Sequence, residues 1–180
     1  MVLHEKRIDF EIHEVDLRNK SEEFLSVSPY GKVPVLVVNG ASIYESNVVN
    51  EYLDEVYKTP RLMPEDPKQR ALARSWMAFA NEYLFPAVFK VRTGLQRGFS
   101  EEQMQEGNVK LRDTLLRLEQ QLEGGQYLVG EYTLADIAQA GNFHRLRELA
   151  DRRAVTSERY PNVTAWMERV ESRESYKASA

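Results

Sequence analysis

The sequence predicts an α/β region over residues 1–57 followed by an all-α helical bundle, on three observations. Apolar and polar residues alternate before residue 57, Pro60, Pro64 and Pro67 cluster just after it, and from there apolar residues recur at helical spacing. At 180 residues, 42% hydrophobic and 29% charged, the chain can bury one core or two small ones sharing an interface.

In the first region Ile8, Phe10 and Ile12 alternate with Asp9, Glu11 and His13, which predicts a strand over 8–15 with one polar face. Ser21 ahead of Glu22 and Phe24 predicts a short capped helix, closed by the turn residues Ser28, Pro29 and Gly31. A β-branched run predicts a strand over 33–38. Asn39 and Gly40 both tolerate the positive φ of a type I′ turn, so residues 41–44 return as a hairpin partner. A helix follows from Ser46, with Val49, Tyr52, Leu53 and Val56 on one side. Proline lacks an N–H and holds its predecessor extended, so the proline cluster predicts a linker over 58–66.

Beyond it, Pro67 suits the first turn of a helix whose stripe is Leu72, Trp76, Phe79 and Tyr83, and Pro86 is expected to kink or end that helix. Ser100 and Gln103 form a capping box ahead of Leu111, Leu115, Leu118 and Leu122, and Gly124-Gly125 ends the run. Two further helices are predicted, from Thr133 to about Ala150 and from Pro161 to about Arg173. Thr133 and Asp136 have capping-box spacing, which assigns them to folding. The domains are thus 1–57, a linker at 58–66, and 67–180.

Composition excludes several functions. The net charge is −4, with 5 basic and 11 acidic side chains in residues 1–57, so a phosphate-backbone partner is not expected. No apolar run has the roughly 18 residues a spanning helix needs, so no membrane is expected either. With no cysteine there is no disulfide, thiolate nucleophile or zinc-thiolate site, and the chain reads as cytoplasmic. His4, His13 and His144 show no metal-ligand spacing, so no metal is expected.

The most specific segment is SPYGKVPVLVVNGASIYESNVVNEYLDE, residues 28–55, in which Val33-Pro34 and Glu45-Ser46 flank the hairpin. With residues 128–137 around Thr133 and Asp136, and the closing helix from Tyr160, it makes the chain resemble the cytosolic glutathione transferases. That resemblance implies a thioredoxin-like domain followed by an all-helical one. It implies a cis bond before Pro34, turning the backbone of Val33 toward the cysteinyl part of glutathione. It implies that Ser46 receives the γ-glutamyl carboxylate, Glu45 the ammonium, and Lys32 the glycyl carboxylate, with Asn47 a further polar contact. Read from the residues alone, Pro34 also fits an edge strand, Ser46 a plain helix N-cap and Lys32 a solvated surface side chain. Phe79, Tyr83 and Arg92, with Phe85 and Phe89, line an electrophile pocket by the same resemblance; by residue type alone, core packing is the better default for most of the aromatic ones.

The match begins inside the family's first helix. Its first strand, and the Tyr, Ser or Cys that hydrogen-bonds the sulfur, have no counterpart after Met1, so the first domain is expected to be truncated, or the chain to extend upstream. Spacing points neither Tyr30 nor Tyr44 at the sulfur, and no catalytic residue is assigned. Two functions stay open. One is a homodimeric detoxification enzyme that conjugates glutathione, as co-substrate, to small hydrophobic electrophiles. The other is a non-catalytic binding or scaffold protein on the same fold.

Overall fold

The computed structural model describes residues 1–150 and 157–179, without the side chains of Glu148 and Ala150. The chain divides into two units, Met1–Arg61 and Leu62–Ala180.

In the first unit, α1 (Val2–Glu5) and α2 (Glu22–Val27) precede a hairpin of β1 (Val35–Val38) and β2 (Ala41–Tyr44), then α3 (Ser46–Val56). Asn39 at φ 49° and Gly40 at φ 79° make the turn, which sets the antiparallel register from Val38↔Ala41 to Val35↔Tyr44. The strand starts at Val35 rather than 33, because Pro34 has no N–H to give a ladder. Ser21 caps α2, its Oγ accepting from the Phe24 amide at 3.1 Å. Val2, Phe24, Val49 and Leu53 are buried. Lys6, directly after α1, is buried too, and its ammonium donates to the Asp54 carboxylate of α3 and to the carbonyls of Tyr57 and Pro60. That lysine ties the start of the unit to the C-terminal end of α3, where the helix dipole also favours a cation.

The strand expected over 8–15 is not formed. β1 pairs with β2 alone among the described residues, so the backbone of 8–16 has no ladder to join, and alternation without a ladder does not make a strand. Phe10 and Ile12 stand 37% and 68% exposed.

The second unit is helical. It runs through α4 (Pro67–Phe79), a π-helical turn (Ala80–Leu84), α5 (Phe85–Gln96), α6 (Glu101–Gln121), α7 (Leu134–Ala140), α8 (Phe143–Ala150), α9 (Pro161–Glu171) and α10 (Glu174–Lys177). Asp66 caps α4 through the Gln69 amide, and the Ser100–Gln103 box opens α6 with both reciprocal bonds. Pro86 stands just after the π turn in a helical run that continues from α4 into α5, so its ring removes one helical bond, and the wider π turn ahead of it absorbs the irregularity. Gly94 lets α6 approach α5 closely, since a Cβ there would stand 2.1 Å from the Met104 sulfur. The single helix expected from Thr133 to Ala150 is two, broken at Gly141-Asn142, both weak helix formers.

Asp136 organises the core of this unit. It is fully buried, and its Oδ1 accepts from the Leu128 amide at 3.1 Å and the Trp166 indole at 2.9 Å. Its Oδ2 accepts from the amide and hydroxyl of Thr133 at 2.9 and 3.3 Å, while Thr133 Oγ1 caps the Ala135 amide. One carboxylate therefore joins the 128 loop, the start of α7 and the middle of α9. Burial pushes its pKa above the ordinary carboxylate value, against the pull of these donors. Trp166 is itself fully buried and packs edge-on against Phe143 at 4.8 Å. Glu119 of α6 caps α9 from outside, accepting from the amides of Asn162 and Val163 at 2.9 Å each.

Candidate functional site

The hairpin register decides which residues meet. Val35 and Tyr44 are the last paired residues, so Val33-Pro34 and Glu45-Ser46 are the residues that enter and leave the open end of the hairpin. Two pairs a dozen residues apart in sequence thus lie side by side.

On one strand of that end, the Val33–Pro34 peptide is cis. Val33 is 49% exposed, and its N–H and C=O have no hydrogen-bond partner among the described residues. The loop before it is fixed by Ser28, which is buried; its hydroxyl donates to the Lys32 carbonyl at 2.9 Å and accepts from the Lys32 amide at 3.0 Å. The chain therefore reaches Val33 with its backbone groups solvated but its path held. Lys32 projects from that loop as an exposed side chain.

Across from it, Ser46 is the first residue of α3 and Glu45 its N-cap position. Glu45 sits at φ 69° and ψ 113°, outside the regions open to a residue with a Cβ, a conformation that costs about 1–3 kcal/mol and concentrates at functional sites. Its carboxylate makes no cap hydrogen bond to the helix it precedes. The amides of the first turn have no intrahelical acceptor, the first such bond running from Val49 N–H to the Glu45 carbonyl at 3.0 Å. A half-buried hydroxyl at Ser46 thus stands over a helix N-terminus of positive potential, beside an exposed carboxylate. That end of the hairpin can take an extended backbone, an anion and a cation at once. Tyr30 and Tyr44 pack edge-to-face at 5.5 Å beside it.

In the helical unit, Phe79 is buried, edge-on to Trp76 at 4.9 Å and stacked on Tyr83 at 5.5 Å. Tyr83 is 58% exposed on the π turn, and Arg92 is half-buried on α5. Reading the aromatic residues as core holds for Phe79 and fails for Tyr83, Phe85 and Phe89, whose rings face solvent. Sequence reasoning missed the Ser28 brace and the strain at Glu45. A Ser ahead of Pro-x-Gly signalled the first; no residue type signals the second. Among the described residues no group of three His, Asp or Glu side chains is placed to hold a metal ion, and no helix is long and apolar enough to cross a membrane.

Comparison with known proteins agrees with this architecture. The chain matches the glutathione S-transferase N-terminal domain over residues 1–56 and the glutathione S-transferase C-terminal domain over residues 76–174. It is 34% identical over 169 residues to glutathione S-transferase U7 of Arabidopsis thaliana, covering 90% of this chain and 71% of that one. It is 35% identical over 185 residues to glutathione S-transferase U19 of the same plant, covering 99% and 81%. Among solved structures, the Tau class glutathione S-transferase MiGSTU from mango, Mangifera indica, superposes with a TM-score of 0.85 at 26% identity, covering 98% of this chain and 83% of that one. The beta-etherase LigF from Sphingobium sp. strain SYK-6 does so with a TM-score of 0.85 at 27% identity, covering 98% and 90%. The fold is that of a thioredoxin-like domain followed by a helical domain, and the chain belongs to the glutathione S-transferase family.

Proposed function

We propose that the protein binds glutathione at the open end of the hairpin and conjugates it to small hydrophobic electrophiles. The cysteinyl backbone pairs with the N–H and C=O of Val33 as an added strand, with Pro34 beside it. The γ-glutamyl carboxylate meets the Ser46 hydroxyl and the first-turn amides of α3, the ammonium meets Glu45, and the glycyl carboxylate meets Lys32. In the conjugation step the glutathione sulfur, as thiolate, forms a bond to the electrophilic carbon; with an aromatic halide the halide leaves with its electron pair, and the thiol proton passes to solvent. Phe79, Tyr83 and Arg92 belong to the electrophile side. The observation that carries the reading is the shared position of Val33-Pro34 and Glu45-Ser46, with Glu45 in a backbone conformation that folding alone does not favour.

A turnover assay with chlorodinitrobenzene tests it. The protein is expected to raise the glutathione-dependent rate well above background, and Ser46→Ala to lower the rate about tenfold at subsaturating glutathione, the size of one charge-assisted hydrogen bond. A protein that binds glutathione without any turnover would instead be a binding protein on this fold. The same reading makes it a cytoplasmic homodimer, supported by the opposed charges of residues 1–57 and 58–180, −6 and +2. Sedimentation as a monomer at both low and high salt would overturn that.

A further inference from the structure

Where α4, α7 and α8 meet, two side-chain acceptors are sealed from solvent, and the described residues offer neither of them a donor. Gln139, near the end of α7, is 0% exposed; its Nε2 donates to the Trp76 carbonyl of α4 at 2.7 Å, while its Oε1 has no donor among the described residues. Asn142, between α7 and α8, is 4% exposed, and its Oδ1 is in the same position. The Asn142 amide donates to the Gln139 carbonyl at 2.9 Å, and Gly141 keeps helical angles, φ −59° and ψ −15°. The two residues therefore stand three apart on one helical face, where side chains are neighbours. Turning the Gln139 amide over brings no relief, since it would set Oε1 against the Trp76 carbonyl, acceptor against acceptor. That carbonyl also takes the Ala80 amide, at the entry to the π turn.

An amide oxygen kept from solvent without a donor opposes folding, and native interiors answer such groups with protein donors or ordered water. The group these two oxygens call for donates twice, in two directions, and carries no charge. Arg145 sets the last condition. Its guanidinium donates to the carbonyl of Gly141, the residue just before Asn142, at 2.6 Å, so a cation on the neutral amide pair would meet like charge beside it. We propose that one water molecule is bound between Gln139 Oε1 and Asn142 Oδ1, donating an O–H to each, as a structural member of this joint. The Asn142 carbonyl accepts the Leu146 amide at 2.8 Å and so opens α8. The water thus links the end of α7 to the start of α8 across the Gly141-Asn142 break, while the Gln139 NH2 fastens the same side chain to α4. The site does not rest on glutathione binding.

Water–protein NMR of the full chain tests it, with no glutathione present. In wild type, the Gln139 side-chain NH2 protons are expected to show cross-peaks to the water resonance with NOE and ROE of opposite sign, the mark of a bound water rather than a diffusing one. Asn142→Leu removes one acceptor and fills its space, so those cross-peaks are expected to be lost while far-UV circular dichroism shows the variant folded. A crystal structure of the wild type, which needs no variant to fold, is expected to place one ordered oxygen within hydrogen-bond distance of both acceptors. Replacing sodium by tetramethylammonium in the buffer is expected to change neither result, as a neutral ligand requires. Absence of the wild-type cross-peaks, their persistence in folded Asn142→Leu, or a dependence on sodium overturns the bound water. So does a protein donor on either oxygen in the crystal, including the NH2 of a turned Asn142 on Gln139.

Discussion

Replacing Asp136 by Asn removes one acceptor from a buried site built for two. In the native chain Oδ1 takes the Leu128 amide and the Trp166 indole, and Oδ2 takes the amide and hydroxyl of Thr133. A carboxamide can keep its oxygen on Leu128 and Trp166. Its NH2 then faces the Thr133 amide, donor against donor, while the Thr133 hydroxyl turns to accept. One buried N–H is left without a partner, which costs about 1–3 kcal/mol, offset in part because no charge is buried any longer. The expected loss is about 2 kcal/mol for Asp136→Asn. Asp136→Ala strands the Leu128, Thr133 and Trp166 N–H groups together, and the expected loss rises to about 5 kcal/mol. Urea unfolding followed by circular dichroism reads both, and for a chain of this length each kcal/mol corresponds to about 2–4 °C in Tm. Thr133→Ala, which removes the cap on Ala135 and the hydroxyl's long bond to Asp136 Oδ2 but leaves the three N–H donors on the carboxylate, should cost about 1–2 kcal/mol. If Asp136→Ala unfolds no earlier than Thr133→Ala, the carboxylate is not the tie between the 128 loop, α7 and α9.

Other consequences of the structure are as direct. Lys6→Met takes the ammonium away from the buried Asp54 carboxylate and should cost about 3 kcal/mol, whereas Lys6→Met with Asp54→Leu should recover much of that loss in the same unfolding measurement. Glu119→Ala uncaps α9 at two amides and should cost about 2 kcal/mol, with Glu119→Gln intermediate; an unchanged midpoint for Glu119→Ala would show that water replaces the cap. Glu106, held by Lys110 and Lys90, has its pKa lowered from 4.5 to about 2. A folded pKa below the unfolded one means that its support for the folded state is complete above about 4.5 and is lost as pH falls toward 2. A carboxyl NMR titration of Glu106 with a midpoint near 4.5 would contradict the pairing.

Much of this was legible in the residues. Asn39-Gly40 fixed a turn type, the turn fixed the register, and the register put Val33-Pro34 and Glu45-Ser46 at the same open end of the hairpin. Capping boxes at Ser100 and Thr133 were equally local and equally plain. What failed depended on partners rather than on pattern. Residues 8–15 alternate as a strand should, but a strand exists only where another chain segment supplies the ladder. Gly141-Asn142 broke a run whose apolar spacing continued through it, because the backbone preference of those two residues outweighed periodicity. Lys6 looked like any charged residue in a polar stretch, and only the fold reveals that its ammonium is buried against Asp54 and two carbonyls. The strain at Glu45 is likewise invisible in residue type, since Gly or Asn would be the natural choices at positive φ.

The central claim is that Ser46, Glu45 and Val33 together hold glutathione. Isothermal titration of the full chain with glutathione tests it most directly, with Ser46→Ala and Glu45→Gly alongside wild type. The account predicts measurable binding by wild type and about tenfold weaker binding by Ser46→Ala. It also predicts that Glu45→Gly binds more weakly while unfolding no earlier than wild type, since glycine relieves the backbone at φ 69° as it removes the carboxylate. No heat with wild type, or identical affinities for wild type and Ser46→Ala, would contradict it.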